Sequence, residues 1–149
     1  MPELSYYERT RIQMEYAVPF INALKEVIGE HTLMDALQQI HQRSIGNTDQ
    51  RSVADLAQMD KMVDMFAEGG ALKYDVIVSS NDAFAFNISQ CAYAQMMEEL
   101  GGREFGHLLL CGRDFADAKR LGLELERTQT RMQGGDYCDF RYRRATSED

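Results

Sequence analysis

The chain has 149 residues, of which 44% are hydrophobic, and it carries a net charge of -8 at pH 7. A chain of this length can bury one well-formed core, and no apolar run approaches the ~20 residues that cross a membrane. The acidic balance, with no basic stripe, argues against a nucleic-acid partner, because such binding needs charges that neutralise phosphates.

The three cysteines show no CxxC spacing, so the sequence suggests neither a disulfide framework nor a zinc ribbon. The N-terminus lacks the basic and then apolar order of a signal peptide. We therefore predict a cytoplasmic protein with free thiols, no cofactor and no membrane association. No repeat or low-complexity linker marks a boundary, so we predict a single domain over residues 1–149, with a helical part (1–70) and a sheet-containing part (71–149).

Helical spacing dominates the first part of the chain. In the first predicted helix apolar residues recur every fourth position, at Ile12, Tyr16, Phe20 and Leu24, which is typical of helical spacing. Gly29 is predicted to end this helix, and Pro19 to kink or divide it.

A second helix is predicted to end at Gly46, and a third to run from Ser52 to Glu68. Exposed apolar positions in this helical part allow a homo-oligomer, although no heptad run specifies one.

After residue 70 the apolar period changes to two. The segments KYDVIV and AFAFNI flank SSND and predict a β-hairpin. A helix is predicted from about Gln90 to Leu100, and REFGHLLLC predicts another that Gly112 closes, after which Asp114 caps a short helix. The chain then ends in a second hairpin. The predicted fold class is therefore α+β: N-terminal helices followed by an antiparallel sheet of two hairpins with intervening helices.

The second hairpin is predicted to turn at Gly134-Gly135, and its register decides which side chains meet. A two-residue turn opposes Arg131 to Cys138 and Arg127 to Tyr142, and it places all four on one face. A three-residue turn moves both arginines to the other face. The sequence leaves both registers open.

In the two-residue register Cys138, Phe140 and Tyr142 share a face with Arg127 and Arg131. A buried unpaired charge is costly, so two arginines on a covered face need an anionic partner. A ligand carboxylate fits the planar fork of arginine, which predicts a small-molecule substrate that carries a carboxylate.

The other cysteines have two interpretations each. Cys91 falls in the first turn of its predicted helix, where amides and the helix dipole favour a thiolate, but it also fits a core stripe as a small hydrophobe. Cys111 stands three residues before Asp114 at a predicted helix end, where burial is the ordinary expectation. His107 lies four residues before Cys111, yet two ligands do not make a metal site, and we predict none.

The order SQCAYAQMMEELGG, LLLCGRDFA and LERTQTRMQGGDYCDFRY, over roughly residues 85–143, resembles the L-2-amino-thiazoline-4-carboxylic acid hydrolase family. That family's pattern is a cysteine opening a helix that ends in Glu-Leu-Gly, a Cys-x-x-Asp element, and a closing hairpin with Arg-Thr-x-Thr and Cys-Asp-Phe-Arg. The matching positions here are Cys91, Glu99, Leu100, Gly101, Cys111, Asp114, Arg127, Thr128, Thr130, Gly134, Cys138, Asp139, Phe140 and Arg141.

The resemblance implies ring opening of 2-amino-thiazoline-4-carboxylate to N-carbamoyl-cysteine, or of another small cyclic amidine. Its ring carbon is electrophilic once the amidine is protonated, so a carboxylate can hold the cation while a thiolate or water attacks. The candidate catalytic residues are Cys138, Cys111, Asp114, Cys91 and Asp139. The candidate substrate-binding residues are Arg127, Arg131, Thr128, Thr130, Phe140 and Tyr142.

Each proposed role has alternatives. The nucleophile is Cys138 or Cys111, and the carboxylate clamp is Arg127 or Arg131. The amidinium partner is Asp114 or Asp139, and Asp114 is the better choice because Asp139 points away from the face of Cys138.

Two other functions remain open. One is a ligand-binding or sensory module without turnover, because no histidine is placed as an obvious base. The other is a thiol-dependent organometal lyase, in which two thiolates hold the metal and a carboxylic acid delivers a proton.

Overall fold

The computed structural model describes residues 3–46 and 55–145. Its α-helices are α1 (Tyr6–Ile28), α2 (Glu30–Gly46), α3 (Met59–Ala67), α4 (Ala92–Leu100), α5 (Arg103–Gly106) and α6 (Arg113–Arg120). Its strands are β1 (Leu72–Ser79), β2 (Ala83–Cys91), β3 (Leu123–Glu126) and β4 (Cys138–Arg144). Short 3-10 turns occur at Leu56–Gln58 and Glu68–Gly70, and a π-helical turn, His107–Cys111, joins α5 to α6. Within the described ranges no helix has the length and apolarity that a membrane crossing requires.

Helix α1 starts at a capping box, in which the Ser5 hydroxyl accepts the Glu8 amide and the Glu8 carboxylate accepts the Ser5 amide. It ends before Gly29, as predicted, because that glycine adopts a φ of 88°. Pro19 lies inside the helix and does not divide it.

The four residues whose spacing predicts α1 are all exposed: Ile12, Tyr16, Phe20 and Leu24. The helix instead buries Thr10 and Val18. Val18 packs with buried side chains of α4 and α5, including Met97 and Phe105. Helix α1 has apolar side chains on two faces, and periodicity alone does not say which face meets the rest of the chain.

The four strands form one antiparallel sheet in the order β1-β2-β4-β3, which confirms the α+β fold class. The first predicted hairpin is β1 and β2. One face of the sheet is buried against α3 and α6, and its side chains are Phe84, Phe86, Ile88, Cys138, Phe140 and Tyr142. The predicted shared face of Cys138, Phe140 and Tyr142 is therefore confirmed.

Both predicted registers of the second hairpin are wrong. Strand β3 pairs Leu125 with Tyr142 and then ends at Glu126, so the arginines at 127 and 131 lie in the long connection to β4. The Asp139 carboxylate accepts the backbone amides of Thr128 and Gln129, which removes those amides from the ladder. The two amides therefore bind the Asp139 side chain instead of β4, and strand pairing stops there.

The helix after α4 also differs from the prediction. Gly112 does not close it, because its backbone is helical and leads directly into α6. A Cβ at Gly112 would lie 2.7 Å from His41 Cε1 and 2.9 Å from the His107 carbonyl, so this glycine allows the π-helical turn to pack on α2. Asp114 is not a capping residue, since its carboxylate binds Arg127.

Two further boundaries differ. Cys91 is the last residue of β2 and precedes α4, rather than lying in the first helical turn. Helix α3 begins at Met59, later than predicted, after a 3-10 turn that Asp55 caps. Residues 52–54 of the predicted third helix lie outside the described residues, and α2 is described as far as Gly46, the residue at which its end is predicted.

The close approach of α1 to the start of α5 yields a stability prediction. A Cβ at Gly102 would lie 2.8 Å from Val18 Cγ2 and 3.0 Å from Met97 Cε, in a fully buried contact. We expect Gly102→Ala to lower the free energy of unfolding by about 1–3 kcal/mol, because overpacking moves both helices. Gly46→Ala is the matched control, since a Cβ there meets none of the described residues within 4 Å. Equal urea midpoints for the two variants would contradict the prediction.

Candidate active site

A cavity of about 100 Å³ lies between the buried face of the sheet and the helices that cover it. This is below the ~300–1,000 Å³ of pockets for drug-sized ligands, which fits a small molecule. All three cysteines line it, although they come from the end of β2, the π-helical turn and the start of β4. Asp114 and Arg127 line the same cavity. Five of the candidate residues, far apart in the sequence, therefore share one space.

The wall formed by the sheet is aromatic. The rings of Phe86 and Phe140 stack with centroids 4.6 Å apart and an interplanar angle of 6°, and Tyr142 lies beside them. Stacked rings turn their faces towards each other, so this apolar wall presents ring edges, which favour edge-to-face contact with a planar ligand. The Tyr142 hydroxyl makes no hydrogen bond with the described residues, and burial raises its pKa, so it remains a proton donor at the cavity.

Arg127 and Asp114 form a buried ion pair at the edge of this wall. Arg127 Nη1 donates to Asp114 Oδ2 at 2.8 Å, and Nη2 donates to the Cys111 carbonyl at 3.1 Å. The guanidinium lies between the rings of Phe115 and Phe140, at 4.8 and 5.0 Å from their centroids. The Arg127 side chain is 5% exposed and that of Asp114 is 26% exposed. Arg127 is therefore held on both faces and at two donors, and it fixes the orientation of the carboxylate.

Asp114 has an unusual protonation equilibrium. Burial raises its pKa to about 6, although the neighbouring Arg127 opposes this shift. A carboxyl group with this pKa can exchange a proton near neutral pH, which ordinary aspartates cannot do. Its Oδ1 atom accepts no hydrogen bond from the described residues, so it is available to a ligand.

The three thiols are neutral at physiological pH. Burial raises the pKa of Cys138 to about 11, and it also raises the pKa values of Cys91 and Cys111 above the ordinary range. The expected thiolate at Cys91 is therefore not favoured: amides of Ala94 and Tyr93 lower its pKa, but burial outweighs them.

Cys138 differs from Cys111 in one contact. Its Sγ accepts a hydrogen bond from the Arg131 backbone amide at 3.2 Å, and this contact acts against the rise in pKa. Cys111 has no such donor, and its pKa is raised further by burial and by Asp114. Cys138 is thus the thiol whose ionised form the protein stabilises better.

Two of the candidate residues predicted from the sequence, Thr128 and Asp139, lie away from the cavity. The Asp139 carboxylate binds the Thr128 amide and hydroxyl and the Gln129 amide, and neither Asp139 nor Thr128 lines the cavity. Partial burial acts to raise the pKa of Asp139, but these hydrogen bonds together lower it below the usual range. Thr130 does line the cavity and is buried, with its hydroxyl bonded to Gln133.

Arg131 lines a neighbouring cleft with Arg103 and Glu98. Its guanidinium donates to the carbonyls of Gly135 and Asp136, which closes the loop between β3 and β4. Cys91 lines both this cleft and the main cavity.

The sequence interpretation did not identify Arg113 as a site residue. Arg113 is exposed and lines the cavity, and it forms no ion pair or hydrogen bond with the described residues. It stands inside the Cys-x-x-Asp element, directly before Asp114. This position in the motif could have identified Arg113 as a candidate from the sequence. Tyr6 and Thr10 of α1 also line the cavity, although no motif marked them.

The described histidines do not line the cavity. His107 lies on the π-helical turn, where burial and the nearby His41 lower its pKa. Within the described ranges no group of three or more His, Cys, Asp or Glu side chains could hold a metal ion.

Comparison with known proteins gives one match. A family model described as L-2-amino-thiazoline-4-carboxylic acid hydrolase matches residues 9–142 of the 149. No curated protein and no solved structure matches the chain significantly. The match extends into the N-terminal helices, beyond the motif residues of the second half.

The raised thiol pKa values predict slow alkylation. We expect Cys138 in the folded protein to react with iodoacetamide at neutral pH at least about a hundredfold more slowly than an unfolded thiol, because its pKa is about 11. The rate should continue to rise above pH 9, where the rate of the urea-unfolded control levels off. Mass spectrometry of the labelled peptides measures both rates, and fast labelling at neutral pH would contradict the prediction.

Proposed function

Because the chain belongs to the L-2-amino-thiazoline-4-carboxylic acid hydrolase family, we propose that it hydrolyses a small cyclic amidine or isothiourea ring. The proposed substrate is 2-amino-thiazoline-4-carboxylate, and the proposed product is N-carbamoyl-cysteine. The observation that carries the proposal is the meeting of Cys138, Cys111 and the Asp114–Arg127 pair at one small cavity with an aromatic wall.

The proposed binding mode uses the two ends of the substrate. The protonated amidine is a planar cation, and Asp114 Oδ1 can accept its N–H groups while Oδ2 stays on Arg127. Arg113 is the proposed partner of the substrate carboxylate, because Arg127 is already engaged and Arg131 lies in the next cleft. The substrate ring would then lie against the edges of the aromatic side chains of the sheet, since Phe86 and Arg127 cover the Phe140 ring on its two sides.

Cys138 is the proposed nucleophile. Its thiol transfers a proton to the Asp114 carboxylate as Sγ attacks the ring carbon between the two nitrogens and the sulfur. The bond from this carbon to the ring sulfur breaks, and the departing sulfur takes the proton back from Asp114. The ring is then open, and its carbon is bound to Cys138 as an isothiouronium group.

Water completes the reaction. It adds to the isothiouronium carbon and gives a proton to Asp114. As the carbon–sulfur bond to Cys138 breaks, the departing sulfur takes this proton from Asp114, and the proton of the new hydroxyl leaves to solvent as the carbonyl forms. The products are a urea, which is the carbamoyl group, and the free Cys138 thiol, so one water is consumed per ring opened. Arg127 acts as a positioning residue, since it touches Asp114 rather than the reacting atoms.

A second candidate function is ligand binding without turnover. The observation in its favour is that burial keeps all three thiols neutral, so the free protein has no ready nucleophile. The proposed mechanism meets this objection only if the bound cation makes thiolate formation easier. Binding without product formation would support the second candidate.

We expect the purified protein to convert 2-amino-thiazoline-4-carboxylate to N-carbamoyl-cysteine, detected by mass spectrometry. Cys138→Ala should lower kcat by at least about a hundredfold, and the wild-type protein should gain the mass of one substrate on Cys138 when quenched by acid. Asp136→Asn is the control, because that exposed carboxylate lies outside the cavity.

Absence of turnover with the thiazoline and with related cyclic amidines would overturn the proposed hydrolase activity. Turnover that Cys138→Ala leaves unchanged would exclude Cys138 as nucleophile and leave attack by water. A rise in KM for Arg113→Gln that disappears with 2-amino-thiazoline, which lacks the carboxylate, would identify the carboxylate partner.

The pKa of Asp114 predicts the pH dependence of the reaction. The carboxylate must be ionised to hold the amidinium, so kcat/KM should fall about tenfold per pH unit below pH 6, where Asp114 is protonated. Arg127→Met should move this limb to higher pH, because Arg127 holds the pKa of Asp114 down. A profile that is flat to pH 5, or one that keeps the same limb in Asp114→Asn, would contradict the prediction.

A further inference from the structure

The outward face of α1 carries a continuous apolar stripe. Large side chains are exposed at successive turns: Ile12 is 57% exposed, Tyr16 78%, Phe20 63% and Val27 82%. Leu24 belongs to the same face and is 39% exposed. The stripe runs from Ile12 to Val27, sixteen residues of one helix, or about 22 Å along its axis.

The side chains of this stripe are not needed for the hydrophobic core. The opposite face of α1 is already fully used, since Val18 is buried and Tyr6 and Tyr7 pack their rings against Tyr93. Within the described residues nothing covers the outward side chains. Single exposed apolar residues are ordinary, but a row of five along one helix face marks an interaction surface.

The charges at the two ends of the stripe have opposite sign. Arg9 lies at its N-terminal end, and Glu26 and Glu30 lie at its C-terminal end. All three are exposed, and neither Arg9 nor Glu26 forms an ion pair with the described residues. A parallel pair of such helices would bring like charges together, whereas an antiparallel pair brings Arg9 to Glu26 twice.

The apolar residues fit the same antiparallel arrangement. A twofold axis near residue 18 sets Tyr16 of one copy opposite Phe20 of the other, and Ile12 opposite Leu24. Each contact then occurs twice, as a closed twofold interface requires. The outward face of α1 is thus complementary to the same face of a second copy, both in the spacing of its apolar side chains and in its charge.

We propose that a second copy of this chain docks on the outward face of α1, with the two helices antiparallel. The interface has an apolar centre of Tyr16 and Phe20 and a charged rim of Arg9 and Glu26. The same helix supplies Tyr6 and Thr10 to the cavity from its other face, so dimer formation supports one wall of that cavity. This proposal does not depend on the reaction proposed above.

Sedimentation velocity of the full chain over a wide concentration range tests the proposal. We expect a dimer whose dissociation constant rises at least about tenfold in Phe20→Glu and in Tyr16→Glu, since each substitution puts a charge into the apolar centre of the interface. Ile77→Glu is the matched control, because Ile77 is 53% exposed at the edge strand of the sheet and should leave the dimer unchanged. Circular dichroism establishes that each variant folds.

Charge reversal tests the antiparallel arrangement. Arg9→Glu and Glu26→Arg should each weaken the dimer, and the double variant should restore it, because each reversed residue again meets an opposite charge. A wild-type protein that stays monomeric, or a dimer that Ile77→Glu weakens and Phe20→Glu does not, overturns the docking proposal. Failure of the double variant to restore the dimer overturns the antiparallel pairing.

Discussion

The organisation of the cavity depends on the buried pair of Arg127 and Asp114. Arg127 follows the end of β3, Asp114 lies in the first turn of α6, and the second donor of Arg127 binds the carbonyl of Cys111 in the π-helical turn. Three segments are thereby held against the aromatic wall of the sheet. Burying a guanidinium is costly unless it is fully paired, so this arrangement persists only while all these contacts are made together.

The pair also sets the chemistry of its surroundings. Burial favours the protonated form of Asp114 and the guanidinium favours the ionised form, so its pKa lies between those of an ordinary aspartate and a fully buried one. The thiols around it experience the same burial, and Arg127 lowers their pKa values by less than burial raises them, so they stay neutral. A cationic ligand would change this balance, because it would bring a second positive charge to the cavity. Binding and activation are then the same event.

The features that could be predicted from the sequence are those that follow from the local spacing of apolar residues. The change from helical spacing to alternation located β1 and β2, and alternation within β4 predicted that Cys138, Phe140 and Tyr142 share a buried face. It could not predict the register of β3, since a distant carboxylate, Asp139, captures the amides of the connection. Nor could it choose between the two apolar faces of α1, because that choice depends on contacts with Val18 made by residues eighty positions away. Nor could the sequence predict that the cysteines converge. Cys91 and Cys138 come together because β2 pairs with β4, and Cys111 reaches the same cavity from the π-helical turn.

The π-helical turn has an evolutionary consequence. In this turn Gly112 donates its amide to His107, five residues back, so the turn holds one residue more than an α-helical turn does. Such a turn takes up its extra residue without rotating the helix that follows, because the wider turn accommodates it. Removal of one residue between His107 and Cys111 would therefore restore a regular helix and leave Asp114 facing Arg127. The change would fall on the turn itself, where Cys111 lines the cavity and its carbonyl accepts Arg127, so relatives that lack this residue would keep the ion pair and differ in that part of the cavity wall.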